Sequence, residues 1–206
     1  MKYKHIIFDI DGTLLDSEYA DLQGLQDTLR ELQNKVVDIK ELTFVLGIPG
    51  EVALKRLGIE DTHSANLLWN RNFIKYHHTI KLFDGIRELL PKLQKENREL
   101  GIITSKNPQE LANDFLPHKI HQYFKTILCV TDSPLPKPYP DPILTYLERE
   151  KVLSENVIYI GDTIYDYQCA TSARVDFGLA LWGCKNREGI DARYYFNTPD
   201  DILSIL

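Results

Sequence analysis

His5-Ile-Ile-Phe-Asp9-Ile-Asp11-Gly12-Thr13-Leu-Leu-Asp16-Ser17 is the stretch on which the reading of this chain turns. Its first four residues read as a buried strand. The run is unbroken rather than alternating, as expected for a strand covered on both faces in a parallel sheet. Asp9 and Asp11 follow with one residue between them. If the strand geometry continued, their side chains would share a face. Two carboxylates that close repel each other, and a cation relieves the repulsion. Magnesium supplies such a charge and prefers carboxylate oxygens. Gly12 lets the chain turn sharply at that point. Taken alone, Asp-x-Asp reads more readily as an acidic turn leaving a strand.

Working outward, four more runs resemble the first: Leu100-Gly-Ile-Ile103, Thr126 to Val130, Val157 to Ile160 and, more weakly, Phe177 to Trp182. Helical patterns lie between them. Ile86, Leu89, Leu90 and Leu93 follow the spacing of a core-facing helix, with Asp84 placed to cap it. Pro142, Ile143, Leu144 and Leu147 predict a helix with proline in its first turn. This alternation predicts a doubly wound α/β fold with a parallel sheet. Residues 18 to 80 break the rhythm and read as helix throughout. Leu22, Leu25, Leu29 and Leu32 form one apolar stripe there. Val52, Ala53 and Leu57, then Leu67, Leu68 and Ile74, suggest further helices, separated by Gly47-Ile-Pro-Gly50 and Gly58. The expected organisation is a core of residues 1–16 and 82–206 with a helical insertion at 17–81.

A chain of 206 residues is long enough to bury about 70% of its unfolded surface without disulfides or a structural metal. The net charge is -6, and lysines and arginines are scattered. That excludes a basic stripe for nucleic acid. It also means that any phosphate site must be local, built from a metal and a few cations. Cys129, Cys169 and Cys184 are far apart and read as reduced thiols. No apolar run approaches a membrane span or a secretory core. A cytoplasmic protein with neither nucleic-acid nor membrane partners is expected.

In sheets of this kind ligands bind beyond the carboxyl ends of the strands, so polar residues there are the candidates. Thr104 and Ser105 end the second strand. Pro108 is placed for the first turn of a following helix, whose backbone N–H groups could help hold an anion. Lys106 reads as surface. Leu135-Pro-Lys137-Pro-Tyr-Pro-Asp-Pro142 is a stiff loop that would fix Lys137 at little entropic cost. Gly161-Asp162-Thr-Ile-Tyr-Asp166 brings two carboxylates to one side of a starting helix. Each also has a plain structural reading: a capping hydroxyl, a solvated lysine, an N-cap with a surface aspartate.

The string Asp9 to Ser17 resembles the nucleophile motif of the haloacid dehalogenase (HAD) superfamily, Asp-x-Asp-Gly-Thr-Leu-x-Asp-Ser, at every fixed position. Chance would match even six of its seven fixed positions only on the order of once in 10⁷ windows. The other three segments resemble that family's remaining motifs, in order, so the resemblance covers nearly the whole chain. It implies a Rossmann-like core with an inserted helical cap of the C1 type, near the phosphoglycolate phosphatase and β-phosphoglucomutase group. It further implies an Mg²⁺-dependent phosphatase acting on a small phosphorylated metabolite through an aspartyl-phosphate. Asp9 would be the nucleophile and Asp11 the acid and base. Thr104 and Lys137, with Ser105 and Gly12 beside them, would hold the phosphoryl oxygens. Mg²⁺ would sit on Asp9, the backbone carbonyl of Asp11, and Asp162, with Asp166 acting through water or hydrogen bonds. Hinges are expected near Asp16 and Lys81, and a substrate-facing cap segment at Gly47 to Arg56. The resemblance leaves a phosphomutase and a non-catalytic binding module as alternatives; a Gly47–Ala53 segment without the Arg and Ser of such mutases favours hydrolysis. A monomer or weak homodimer is expected.

Overall fold

A computed structural model of the chain describes residues 2–206. Its strands are β1 (His5–Phe8), β2 (Leu15–Asp16), β3 (Lys81–Leu82), β4 (Glu99–Ile103), β5 (Thr126–Leu128), β6 (Val157–Gly161), β7 (Asp176–Ala180) and β8 (Tyr194–Phe196). Its helices are α1 (Glu18–Gln33), α2 (Ile39–Leu42), α3 (Gly50–Arg56), α4 (Thr62–Ile74), α5 (Ile86–Lys95), α6 (Pro108–Glu110), α7 (Asp141–Glu150) and α8 (Ile164–Ser172). Six strands form one sheet in the order β5-β4-β1-β6-β7-β8, and every pairing in it is parallel. The expected α/β fold is borne out. β8, a three-residue edge strand, has no counterpart in the sequence reading.

Apolar runs without alternation are what a sheet covered on both sides requires. Ile6, Phe8, Leu100, Ile102, Ile158 and Ile160 pack on one face with α5. The intervening Ile7, Ile103, Val157 and Tyr159 pack on the other with α7 and α8. On α5, the expected Ile86, Leu89, Leu90 and Leu93 are the buried residues. Asp84 does not cap this helix. The N-cap is Gly85, in the left-handed region and without a side-chain cap.

The register places the site. Phe8 pairs with Ile102 on one side and Ile160 on the other. The segments beginning at Asp9, Thr104 and Asp162 therefore leave the sheet side by side at its carboxyl edge.

Between β2 and β3 the chain is helical, with its own apolar cluster that includes Leu25, Leu29, Leu54, Trp69 and Phe73. α1 and α4 approach closely at Gly24, where a Cβ would meet the Phe73 backbone at 2.8 Å. The stripes differ from expectation at their edges. Leu32, Val52, Leu67 and Ile74 are exposed. On α4 the buried face is Ala65, Trp69, Asn72 and Phe73. Leu67 and Ile74 are seven apart and share the opposite face; packing against α1, rather than hydrophobicity alone, selected which face turned inward. β2 and β3 pair antiparallel where the chain leaves and re-enters the sheet domain, with Lys81 Nζ 3.8 Å from Asp16 Oδ2. Among the described residues no helix is long and apolar enough to cross a membrane.

Candidate active site

Asp9 continues directly from β1, and its N–H donates to the Ile160 carbonyl at 2.9 Å. Its carboxylate is buried and pairs with Lys137 at 2.9 Å. Lys137, equally buried, also pairs with Asp166 Oδ1 at 2.7 Å. The proline-rich loop thus delivers one ammonium between two carboxylates. Asp166 is satisfied at both oxygens. Oδ1 also accepts from the Tyr159 hydroxyl at 2.8 Å. Oδ2 accepts from Thr163 N–H at 3.1 Å and Thr163 Oγ1 at 2.6 Å, in a capping box that starts α8. Asp162 has much less: among the described residues, a single hydrogen bond from Thr13 Oγ1 at 3.1 Å. Gly12 lies against it at φ +78°, where a Cβ would meet Asp162 Oδ2 at 2.1 Å. Only glycine allows this approach.

Carboxylate oxygens of Asp9, Asp162 and Asp166 lie within 4.8 Å of one another. Three buried carboxylates against one ammonium leave two negative charges uncompensated. The electrostatics reflect it. Burial pushes the Asp9 carboxyl up to about 7, with Lys137 opposing the rise. Burial pushes Asp162 well above the usual carboxylate range, and Asp166 and Asp9 add to it. Burial disfavours the charge on Lys137, but Asp166 and Asp9 together outweigh it and raise its pKa.

Asp11 does not share this cluster. The strand ends at Phe8, and the chain turns through Gly12 before pairing of Asp11 and Asp9 on one face can continue. The Asp11 carboxylate instead accepts from Ser17 Oγ at 2.6 Å and lies 3.1 Å from Lys106 Nζ. Lys106, expected at the surface, is buried. Its ammonium pairs with Asp114 at 2.8 Å and sits over the Phe73 ring at 5.5 Å. His77 Nε2 stands 3.0 Å from the other Asp114 oxygen. This correction has a simple origin: the partners of Lys106 come from another strand end, from a turn eight residues on and from α4, none adjacent in sequence.

Thr104 is buried at the end of β4, its Oγ1 accepting from Lys106 N–H at 3.2 Å. Ser105 Oγ donates to the Gly47 carbonyl at 3.2 Å, tying this strand end to the helical insertion. Pro108 occupies the first turn of α6 as expected, behind an Asn107 capping box. α6 is only three residues long and gives way to a wide π turn at Leu111–Phe115. Within Gly47 to Arg56, the residues Gly47, Ile48 and Gly50 line the cleft over Asp9. Lys55 is exposed. Arg56 donates to the Tyr165 hydroxyl at 2.8 Å, away from that lining.

The sequence reading named Asp9, Lys137, Asp162 and Asp166, which the fold brings together, and Thr104, which leaves the neighbouring strand at the same sheet edge. It missed Tyr159, Thr13, Asp114 and His77. Tyr159 carried a faint signal, as a hydroxyl inside an otherwise apolar strand.

Residues 6–180 match the haloacid dehalogenase-like hydrolase family. A phosphoglycolate phosphatase of Xylella fastidiosa is 30% identical over 190 residues, covering 89% of this chain and 82% of that protein. The pyrophosphatase PpaX of Bacillus mycoides is 22% identical over 211 residues, covering 100% and 98%. A crystal structure from Lactobacillus plantarum superposes with a TM-score of 0.93 at 31% identity, over 100% of both chains. The chain belongs to the haloacid dehalogenase-like hydrolases, within their phosphoglycolate phosphatase-like group. It is an enzyme of the HAD phosphatase type.

Proposed function

We propose that the chain hydrolyses small phosphate monoesters in two steps, with Asp9 as nucleophile and Mg²⁺ as cofactor. The observation that carries this reading is the buried group of three carboxylates around Lys137, two charges short of neutrality, at the carboxyl edge of the sheet.

Unaided hydrolysis of phosphate monoesters is extremely slow, so a large barrier reduction has to be supplied. An Asp9 oxygen attacks phosphorus in line and forms an acyl phosphate, while the ester oxygen leaves with a proton from Asp11. Water then gives a proton to Asp11 and attacks the same phosphorus, releasing phosphate and restoring the Asp9 carboxylate. Lys137 and Thr104 hold the non-bridging oxygens, and Lys137 offsets charge at the transferring group. Ser17 and Lys106 hold the Asp11 carboxylate on the leaving-group side.

The donor set suits a hard divalent cation, since every candidate ligand atom is oxygen. Asp9, the Asp11 backbone carbonyl and Asp162 would hold it. Asp166, whose oxygens are taken by Lys137, Tyr159 and Thr163, would orient its neighbours instead. When bound, the ion would shield the nucleophile from the phosphate and stabilise transition-state charge. The helical insertion serves as a cap that excludes bulk water, with the β2–β3 pair as its hinge.

Asp9→Asn is expected to lower phosphatase activity at least about a thousandfold with a Tm near that of the parent. Chelation should stop turnover of the parent and Mg²⁺ restore it. Retained activity in the variant would take the nucleophile role from Asp9.

A further inference from the structure

The cleft over Asp9 lies between the helical insertion and the sheet edge, and on the phosphatase reading it would receive the alcohol of a phosphoryl group seated on Asp9. On the insertion side the wall is Asn66, Trp69, Asn70 and Phe73 of α4, which carry no charge. Asp21 of α1 lines the cleft from the same side, and opposite stand Asp11, Lys106, Glu110 and Asp114. Lys106 is the one cation among the described lining residues, and its ammonium is already held by Asp11 and Asp114. Glu110 has no cationic partner among the described residues. Its oxygens accept from the Asn107 N–H at 2.8 Å and the Asn70 amide at 2.9 Å. Burial raises the Asp21 carboxyl to about 8. Even with Asp21 counted as neutral and Asp11 carrying the proton it donates, Glu110 and Asp114 outnumber the one ammonium.

We propose that this cleft selects phosphate monoesters whose alcohol is uncharged or cationic, and disfavours those bearing a second anionic group. The inference rests on the phosphatase reading and narrows its substrate class. A carboxylate or second phosphate in the leaving group would find no free cation among the described lining residues and would lose its hydration beside Glu110. A hydroxyl could use the amides of Asn66 and Asn70, and an ammonium could pair with Glu110. Like charges a pocket's width apart, partly screened, weaken binding by about tenfold. The separation from glycolate or phosphate leaving groups is notable because relatives carry those substrates in their names.

The test is a matched series, hydroxyethyl phosphate, aminoethyl phosphate and phosphoglycolate, which share a skeleton and differ in terminal charge. Each is measured as a competitor of p-nitrophenyl phosphate hydrolysis by the Mg²⁺-supplied enzyme, so that a Ki is read whether or not the compound turns over. The expected Ki for phosphoglycolate exceeds the other two by at least about tenfold. In Glu110→Gln, which keeps the cap on Asn107, that ratio should narrow several-fold. Equal constants across the series, absence of inhibition by all three, tighter binding of phosphoglycolate, or an unchanged ratio in the variant would each overturn the proposal. Failure to hydrolyse p-nitrophenyl phosphate at all would instead remove the phosphatase reading, and this proposal with it.

Discussion

Lys106 shows how much a single side chain can organise. It is buried between Asp11 and Asp114 and under Phe73. Breaking a buried pair from one side leaves an uncompensated charge and costs about 3–5 kcal/mol. Lys106→Met, which keeps the stem volume, should therefore lower stability by roughly 3 kcal/mol in urea titrations. Adding Asp114→Asn should recover part of that loss. Parental stability in Lys106→Met would mean that the ammonium is solvated. Asp21 offers a pH test nearby. Burial holds its carboxyl at about 8, with Lys106 opposing and Asp11 and Asp114 adding to the rise. The unfolded chain ionises this group from about 4. Between those values the native state binds more protons, so stability falls as pH rises through the window. Asp21→Asn should flatten the profile, stabilising the protein at and above about pH 8 and leaving it unchanged below about pH 4. An unaltered slope in denaturant titrations across that range would contradict the assignment.

Elements add a constraint that residues alone do not carry. α1 and α4 can touch because Gly24 presents no Cβ to the Phe73 backbone. Gly24→Ala would gain up to about 1 kcal/mol of helix propensity and lose about 1–3 kcal/mol to overpacking against backbone. The net expectation is destabilisation of about 1–2 kcal/mol, read as a lower Tm; a higher Tm would refute the close approach. The sequence made α5 and the central strands legible because each repeats one signal over several residues. It was a poorer guide to α4. There, two apolar faces compete, and only the position of α1 decides between them. Asp84 failed as a cap because the chain reaches α5 through the left-handed Gly85, a backbone choice the side chains do not announce. β8 escaped notice because three residues at a sheet edge carry almost no periodicity.

At the scale of the molecule, parallel pairing in register converts sequence order into a site. The strand ends at Phe8, Ile103 and Gly161 arrive together because β1 lies between β4 and β6. The four motif segments were readable because each is a local string, three of them directly after a strand and the fourth, around Lys137, in the loop between β5 and α7. The Lys106, Asp114 and His77 network was not, since its members come from elements joined only by tertiary packing. The net charge of -6 makes the same point about function. Long-range attraction does not bring an anion here, so on the proposed reading recognition would depend on Lys137, Thr104 and a divalent ion at one spot. The account stands on covalent transfer to Asp9, which can be caught directly. In Asp11→Asn with p-nitrophenyl phosphate, the leaving group needs no proton while hydrolysis lacks its base, so the acyl phosphate should accumulate. Borohydride reduction followed by peptide mass spectrometry is expected to find residue 9 converted to homoserine. Burst release of nitrophenol with no modification at residue 9, or with modification at another carboxylate, would contradict it.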